Sequence, residues 1–206
     1  MSKEALVVER NVLFKNNYFR GFVPLASNTD YINIILANYK YHQRGDQLEN
    51  NPNLQQIIPY VWLVNQKTKQ IFVYKRANNP NYTEKRLRNK ISCGLGGHID
   101  KADAKNPIMN AMARELKEEV KMSHYPKPKI LGFINEDETE VGKVHFGICA
   151  IAETTENAKK GDDEMSQCKM CSIKEVESLF SDPENDVESW TQISWPFVKN
   201  YLESRN

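Results

Sequence analysis

The chain has 206 residues, of which 40% are hydrophobic and 27% charged, and its formal net charge at pH 7 is +1. That length suits one sizeable domain, and the near-neutral charge argues against a strongly basic nucleic-acid binder. The first residues lack the basic segment followed by an apolar segment that a secretion signal has. The longest apolar run, Phe146 to Ala152, is too short to span a bilayer, so we expect a cytoplasmic protein without a membrane partner.

The N-terminal quarter contains three apolar segments and then a polar one. Their predicted structures are, in chain order, a strand over 5–14, a strand over 18–25, a helix over 31–41 that begins near residues 28–30, and a surface loop over 43–53.

From residue 57 onward, strands and helices alternate. The predicted strands are 57–64 and 70–75, which form a hairpin, then 129–134, 144–152 and 169–171. Ser172 and Glu175 have the spacing of a capping box and predict the start of a helix. A last helix is predicted near Trp190, where Pro196 must kink it or lie in its first turn. This order indicates an α/β sandwich with a mixed β-sheet.

A glycine turn and an amphipathic helix lie in the middle of the chain. Gly96-Gly97 form the predicted turn, Asn106 can cap the helix, and Pro107 suits its first turn because proline lacks the N–H that would stay unbonded there. An apolar stripe on the helix predicts burial against a core, and it comprises Met109, Met112, Leu116 and Val120.

Three carboxylates share one side of this helix. At about 100° per residue, Glu115, Glu118 and Glu119 fall within an arc of roughly 100°. Close carboxylates repel one another unless a cation lies among them, and oxygen-only ligands suit Mg²⁺ or Mn²⁺. A solvated helix with an Arg114–Glu118 ion pair is the alternative interpretation.

The stretch from Gly97 to Met122 resembles the Nudix box, whose pattern is a glycine, five residues, an acid, seven residues and then Arg-Glu-apolar-x-Glu-Glu-x-Gly-apolar. The matching residues are Gly97, Asp103 (in place of Glu), Arg114, Glu115, Leu116, Glu118, Glu119 and Met122. Two departures are a spacing of ten residues between Asp103 and Arg114, and Lys121 in place of the closing glycine.

The resemblance implies a Nudix-like α/β/α sandwich over 56–206, with residues 1–55 as an N-terminal extension that packs on it and could supply a homodimer surface. It also implies a MutT-like pyrophosphatase or phosphoesterase, in which water attacks a phosphorus of a nucleotide-like or other small-molecule diphosphate. Mg²⁺ or Mn²⁺ would neutralise the phosphate oxygens and lower the pKa of the attacking water.

By the same resemblance, Glu115, Glu118 and Glu119 would bind the metal together with the backbone carbonyl of Gly97. Glu115 is the preferred general base, and Arg114 would hold it by a charge-assisted hydrogen bond. A further acidic ligand is expected from a loop after the core strands. Glu164 is the preferred residue there, with competitors in the other acidic loop, namely Glu136, Glu138 and Glu140.

Positive charge precedes the glycine turn and could bind the substrate phosphates. Arg76, Arg86 and Arg88 are the candidates, since arginine can contact a phosphate with two N–H groups. His98, directly after the glycines, could also face the site. Each of these side chains could instead be structural or solvated.

Two other functions stay open. One is a Nudix-fold ligand sensor without hydrolysis. The other is an enzyme like isopentenyl-diphosphate isomerase, which uses a catalytic cysteine, and Cys93 lies just before the glycine turn. Cys168 and Cys171 have the spacing of half a zinc site, but the chain has no second closely spaced pair, so we expect reduced thiols.

Overall fold

The protein is described by a computed structural model over residues 4–78, 85–161 and 163–204. The strands are β1 (Glu4–Glu9), β2 (Gly21–Pro24), β3 (Lys40–Gln43), β4 (Leu54–Asn65), β5 (Gln70–Arg76), β6 (Ile91–Ser92), β7 (Gly94–Leu95), β8 (Val120–Lys121), β9 (Lys129–Asn135), β10 (His145–Glu153), β11 (Lys159–Lys160) and β12 (Met165–Ser172). The α-helices are α1 (Arg10–Phe14), α2 (Tyr31–Asn38), α3 (Asp46–Glu49), α4 (Pro107–Glu119), α5 (Ile173–Ser181) and α6 (Ser189–Glu203). The chain is thus an α/β protein with a large mixed sheet, as predicted.

The chain divides into two compact units, each built from separate stretches of sequence. The first unit comprises 1–60, 96–112 and 130–150, and the second comprises 61–95, 113–129 and 151–206. The N-terminal residues therefore share a unit with two later stretches. The predicted boundary near residue 55 stays a prediction.

In the first unit, β1 pairs antiparallel with both β3 and β4, and β2 pairs with β9. The side chains from Ala5 to Val8 are at most 1% exposed, so β1 is a central strand rather than an edge. An aromatic cluster completes this core, with ring centroids 5.1 to 5.8 Å apart between Tyr31 and Phe133 and between Phe14 and Phe146.

In the second unit, the strand order is β12-β5-β4, with β6 paired to β5 and β7 paired to β4. Helix α6 packs here through Trp195, whose ring stacks on that of Trp62 at 6.0 Å, while Trp62 Nε1 donates to Ser194 Oγ at 3.0 Å. Pro196 lies inside α6, not in its first turn. Helix α5 begins with the predicted capping box of Ser172 and Glu175.

Three sequence predictions in the N-terminal region were wrong in part. The helix predicted over 31–41 ends at Asn38, and Lys40–Gln43 form the strand β3. The strand predicted over 5–14 ends at Glu9, and residues 10–14 form α1 because Leu13 and Phe14 bury themselves on one helical side. The loop predicted over 43–53 contains α3, whose Leu48 packs against Ala5 and Val7. Among the residues described, no helix is both long and apolar enough to cross a membrane.

Candidate active site and its carboxylate helix

Helix α4 presents its carboxylates beside a buried apolar stripe in the second unit. Leu116 and Val120 have no exposed surface, and the neighbouring Glu115 and Glu119 are only 8% and 6% exposed. The Glu118 side chain, by contrast, is 55% exposed. The stripe therefore holds two carboxylates at the edge of the core and directs the third toward solvent.

Arg114 links two of these carboxylates. Its Nη1 donates to Glu115 Oε1 at 2.6 Å and to Glu118 Oε2 at 3.1 Å. The contact with Glu115 is the one that the box pattern predicted. Since the Glu115 side chain is 11% exposed, its charge-assisted hydrogen bond is less screened than an ordinary surface pair.

Gly161 closely approaches the backbone at the end of the box helix. Its N–H donates to the carbonyl of Glu119 at 2.8 Å, and a Cβ at Gly161 would lie 2.5 Å from the carbonyl oxygen of Glu118. The helix ends at Glu119, because Val120 and Lys121 pair with β11. The sequence analysis did not predict this contact of Gly161. The one local sign is that a glycine occurs inside a polar segment.

Glu164 belongs to the same unit as the three helix carboxylates. It follows Gly161 by three residues, its carbonyl accepts from the Ala77 N–H at 2.7 Å, and its side chain is exposed. The three competing acids lie in the first unit, and Glu138 pairs there with Arg20. Glu136 Oε1 accepts from the Thr139 N–H at 2.8 Å, and Glu140 pairs with Lys143.

The glycine turn and Asp103 lie in the first unit. Gly96 has a φ of 156°, and a Cβ there would lie 1.8 Å from the carbonyl oxygen of Pro59, so a side chain is excluded by the neighbouring strand. Asp103 accepts from the Asp100 N–H at 2.9 Å and closes a capping box on a 3₁₀ turn. That turn accommodates the longer loop before the helix.

Comparison with known proteins gives the family. The family model of the NUDIX domain matches residues 55–192. Protein YmaB of Bacillus subtilis (strain 168) is 34% identical over 212 residues, covering 98% of both chains.

The chain belongs to the Nudix family.

Solved structures agree with this assignment. The chain superposes with a TM-score of 0.76 on the crystal structure of Tm1382, which is described as a candidate Nudix hydrolase. The two sequences are 26% identical, and the superposition covers 96% of this chain and 99% of that one. The NUDIX domain of Shewanella oneidensis NrtR, solved with ADP-ribose, shares the fold at a TM-score of 0.53 and 14% identity, covering 72% of this chain and 88% of that one. The protein is an enzyme of the Nudix pyrophosphohydrolase type.

The arginines predicted to bind substrate have different surroundings in this Nudix chain. Arg76 is 9% exposed, and its Nε and Nη2 lie 3.3 and 3.1 Å from Glu188 Oε2. This buried ion pair gives Arg76 a structural partner and does not support its role as a phosphate ligand, which stays a prediction. Arg86 and Arg88 are half-buried around the 3₁₀ turn Lys85–Leu87.

His98 lies beside a second histidine and a buried glutamine of the first unit. Its Nε2 lies 2.8 Å from Gln56 Oε1 and 3.4 Å from His145 Nε2, all within the first unit. A carboxylate oxygen of Glu49 lies near the two imidazoles. The three atoms that could bind a metal, one from each residue, are all within 4.8 Å of one another. Among the parts of the chain that the structure describes, Glu115, Glu118 and Glu119 do not form such a group.

The cysteines do not resemble catalytic or zinc-binding residues. Cys93 has no exposed surface, and burial raises the pKa of its thiol well above the ordinary value, which disfavours the nucleophilic thiolate. Cys168 and Cys171 are three residues apart on β12, so their side chains point to opposite sides of the strand. This geometry argues against the isomerase alternative and against a Cys-x-x-Cys zinc site.

Proposed function

We propose that this Nudix protein hydrolyses a diphosphate linkage in a nucleotide-like or related phosphorylated small molecule, with Mg²⁺ or Mn²⁺ bound by Glu115, Glu118 and Glu119. The observation that carries the proposal is the position of Arg114, whose guanidinium contacts both Glu115 and Glu118 on the carboxylate helix.

The donor set fits a hard divalent cation. Glu115 and Glu119 place carboxylates at positions that are less than a tenth exposed, where a positive charge nearby offsets the cost of burying their negative charge. Carboxylate oxygens are the ligands that Mg²⁺ and Mn²⁺ prefer. When bound, the ion would neutralise phosphate oxygens and make the attacking water more acidic.

The protein side chains would divide the remaining work. Glu115 is the proposed general base, because Arg114 fixes its orientation and the core next to Leu116 limits its movement. Glu164 is proposed as the further acid, because it follows Gly161 by three residues and the Gly161 N–H donates to the Glu119 carbonyl at the end of the box helix. The Gly97 carbonyl ligand and the phosphate contacts of Arg86 and Arg88 stay predictions from the family resemblance.

Replacement of Glu118 by Gln tests this function. Because the amide keeps the size of the side chain but removes its charge, we expect metal-dependent phosphate release to fall by about 10- to 100-fold or more. Release would be measured with Mg²⁺ on a panel of nucleoside triphosphates, dinucleotide polyphosphates, sugar nucleotides and prenyl diphosphates.

Glu177→Gln is the matched control, since Glu177 is also a helical, ion-paired and partly exposed glutamate, and its loss leaves the proposed site intact. Tight binding of a panel member without cleavage would favour the ligand sensor instead. Isomerisation of a prenyl diphosphate without release of phosphate would favour the isomerase.

A further inference from the structure

We propose that Glu49, His98 and His145 form a metal site of their own, selective for a Zn²⁺-like transition ion. The three residues lie within the first unit and come from distant parts of the sequence. Glu49 ends α3, His98 follows the glycine turn, and His145 begins β10. Two imidazoles with one carboxylate are a common donor set for Zn²⁺, whereas Mg²⁺ prefers oxygen alone.

His145 is oriented as metal-binding histidines usually are. It is 5% exposed, and its Nδ1 lies 2.6 Å from the carbonyl oxygen of Val141. A carbonyl oxygen only accepts, so Nδ1 must carry the proton and Nε2 must hold the lone pair. A backbone carbonyl that fixes the second ring nitrogen in this way is typical of histidine ligands.

The distance between the imidazoles suits two ligands of one ion. Zn–N bonds of about 2.0–2.1 Å in a tetrahedron place two ligand atoms about 3.3–3.4 Å apart. His98 Nε2 and His145 Nε2 are 3.4 Å apart. This is longer than the usual hydrogen-bond distance of about 2.7–3.2 Å.

Gln56 offers a fourth donor. Its side chain has no exposed surface, and its Oε1 points at His98 Nε2 from 2.8 Å. Within the described residues its Nε2 has no hydrogen-bond partner, which is a costly arrangement for a buried amide. When a cation binds, His98 Nε2 would give up its proton and present a lone pair 3.4 Å from His145 Nε2, with Gln56 Oε1 2.8 Å from His98 Nε2 as an additional oxygen donor.

The elements that carry these residues are firmly held. Leu48, next to Glu49, packs against Ala5 and Val7, and the Ile99 carbonyl, next to His98, accepts from the Leu6 N–H at 2.9 Å. The ligand atoms are therefore positioned before the ion arrives, which lowers the ordering cost of binding.

The test uses the full chain after treatment with a chelator. Co²⁺ absorption spectra would show whether a tetrahedral site with nitrogen ligands forms, and calorimetry would give the Zn²⁺ affinity. We expect one high-affinity site, weakened by about 10- to 100-fold or more in His98→Ala and Glu49→Gln. Zn²⁺ should also raise the unfolding temperature of the unaltered protein but not of His98→Ala.

Two controls separate this site from the box. His42→Ala removes an exposed histidine of the same unit, and Glu118→Gln alters the box; both should keep the Zn²⁺ affinity. His98 and Glu49 are only half-buried, so their variants should remain folded without metal, as circular dichroism would check. Unchanged Zn²⁺ binding in both variants, or its loss in Glu118→Gln alone, would overturn the proposal.

Discussion

Arg76 and Arg114 carry the same charge in one unit, but their surroundings give them different roles. Arg114 is 30% exposed and contacts two carboxylates of the box helix. The Arg76 side chain is 10% exposed, pairs with Glu188, and lies 5.4 Å from the centre of the Tyr74 ring. Burial therefore distinguishes a side chain of the proposed site from one that stabilises the fold.

Replacement of Arg76 by Met should lower the free energy of unfolding by about 3–5 kcal/mol, because it leaves Glu188 charged and buried. The double variant Arg76→Met/Glu188→Leu should recover much of that loss. Urea unfolding would measure both. Lys90→Ala, which breaks an exposed pair with Asp186, is the control and should cost less than about 1 kcal/mol. Full stability in Arg76→Met would contradict the structural role.

Asp137 should make the stability depend on pH in the acid range. A hydrogen bond from the Tyr18 hydroxyl at 2.7 Å, followed by the charge of Arg10, holds the pKa of Asp137 below its ordinary value of 3.8. A carboxyl with a depressed pKa stabilises the folded state above its ordinary pKa, and this contribution is lost as the pH falls through the folded value.

Asp137→Asn should therefore destabilise the protein by up to about 1 kcal/mol near neutral pH, and the difference should shrink below pH ~4. Denaturant unfolding across that range would measure it. Tyr18→Phe removes the main cause of the shift and should act in the same direction. Stability curves that stay parallel at all pH values would exclude this linkage.

At the scale of elements, the end of the box helix depends on a neighbouring loop rather than on its own sequence. Lys121 stands where the family has its closing glycine, and directly after the helix Val120 and Lys121 pair with β11, which leads into Gly161. The position of the box carboxylates is therefore coupled to the segment that carries Glu164.

Gly161→Ala should disturb this coupling. The added Cβ would lie 2.5 to 2.7 Å from backbone atoms of Glu118 and Glu119, closer than van der Waals contact allows. Overpacking of this kind costs about 1–3 kcal/mol, and hydrolysis should fall along with stability. Asp163→Ala, two residues later and exposed, is the control for both measurements. A Gly161→Ala protein with unaltered stability would show that the helix end tolerates a side chain.

For the whole molecule, the N-terminal residues are part of a core. β1 is hydrogen-bonded on both sides, to β3 and β4, and its apolar side chains are buried. Its removal would expose the edge of β4 and the apolar surface of the first unit.

Deletion of residues 1–53 should therefore abolish cooperative folding, although the family match begins only at residue 55. Circular dichroism with thermal unfolding would measure this, and analytical ultracentrifugation would detect aggregation. A truncated chain that unfolds cooperatively and hydrolyses the same substrate would instead support a dispensable extension.

The sequence alone determined the features that depend on near neighbours. The Ser172–Glu175 capping box, the β4–β5 hairpin and the start of α4 at Pro107 are each set by residues within a few positions of one another, whose spacing can be read directly. The resemblance to the Nudix box likewise implied the Arg114–Glu115 hydrogen bond, which joins two consecutive residues of α4.

Only the tertiary structure decided which distant residues meet. Arg76 and Glu188 are 112 positions apart, and Glu49, His98 and His145 come from three separate segments. Gly161 reaches Glu118 and Glu119 only through the folded loop. Such contacts depend on how the strands and helices pack against one another. Local propensity and periodicity do not predict them, because each of these side chains could equally be solvated in an isolated segment of the chain.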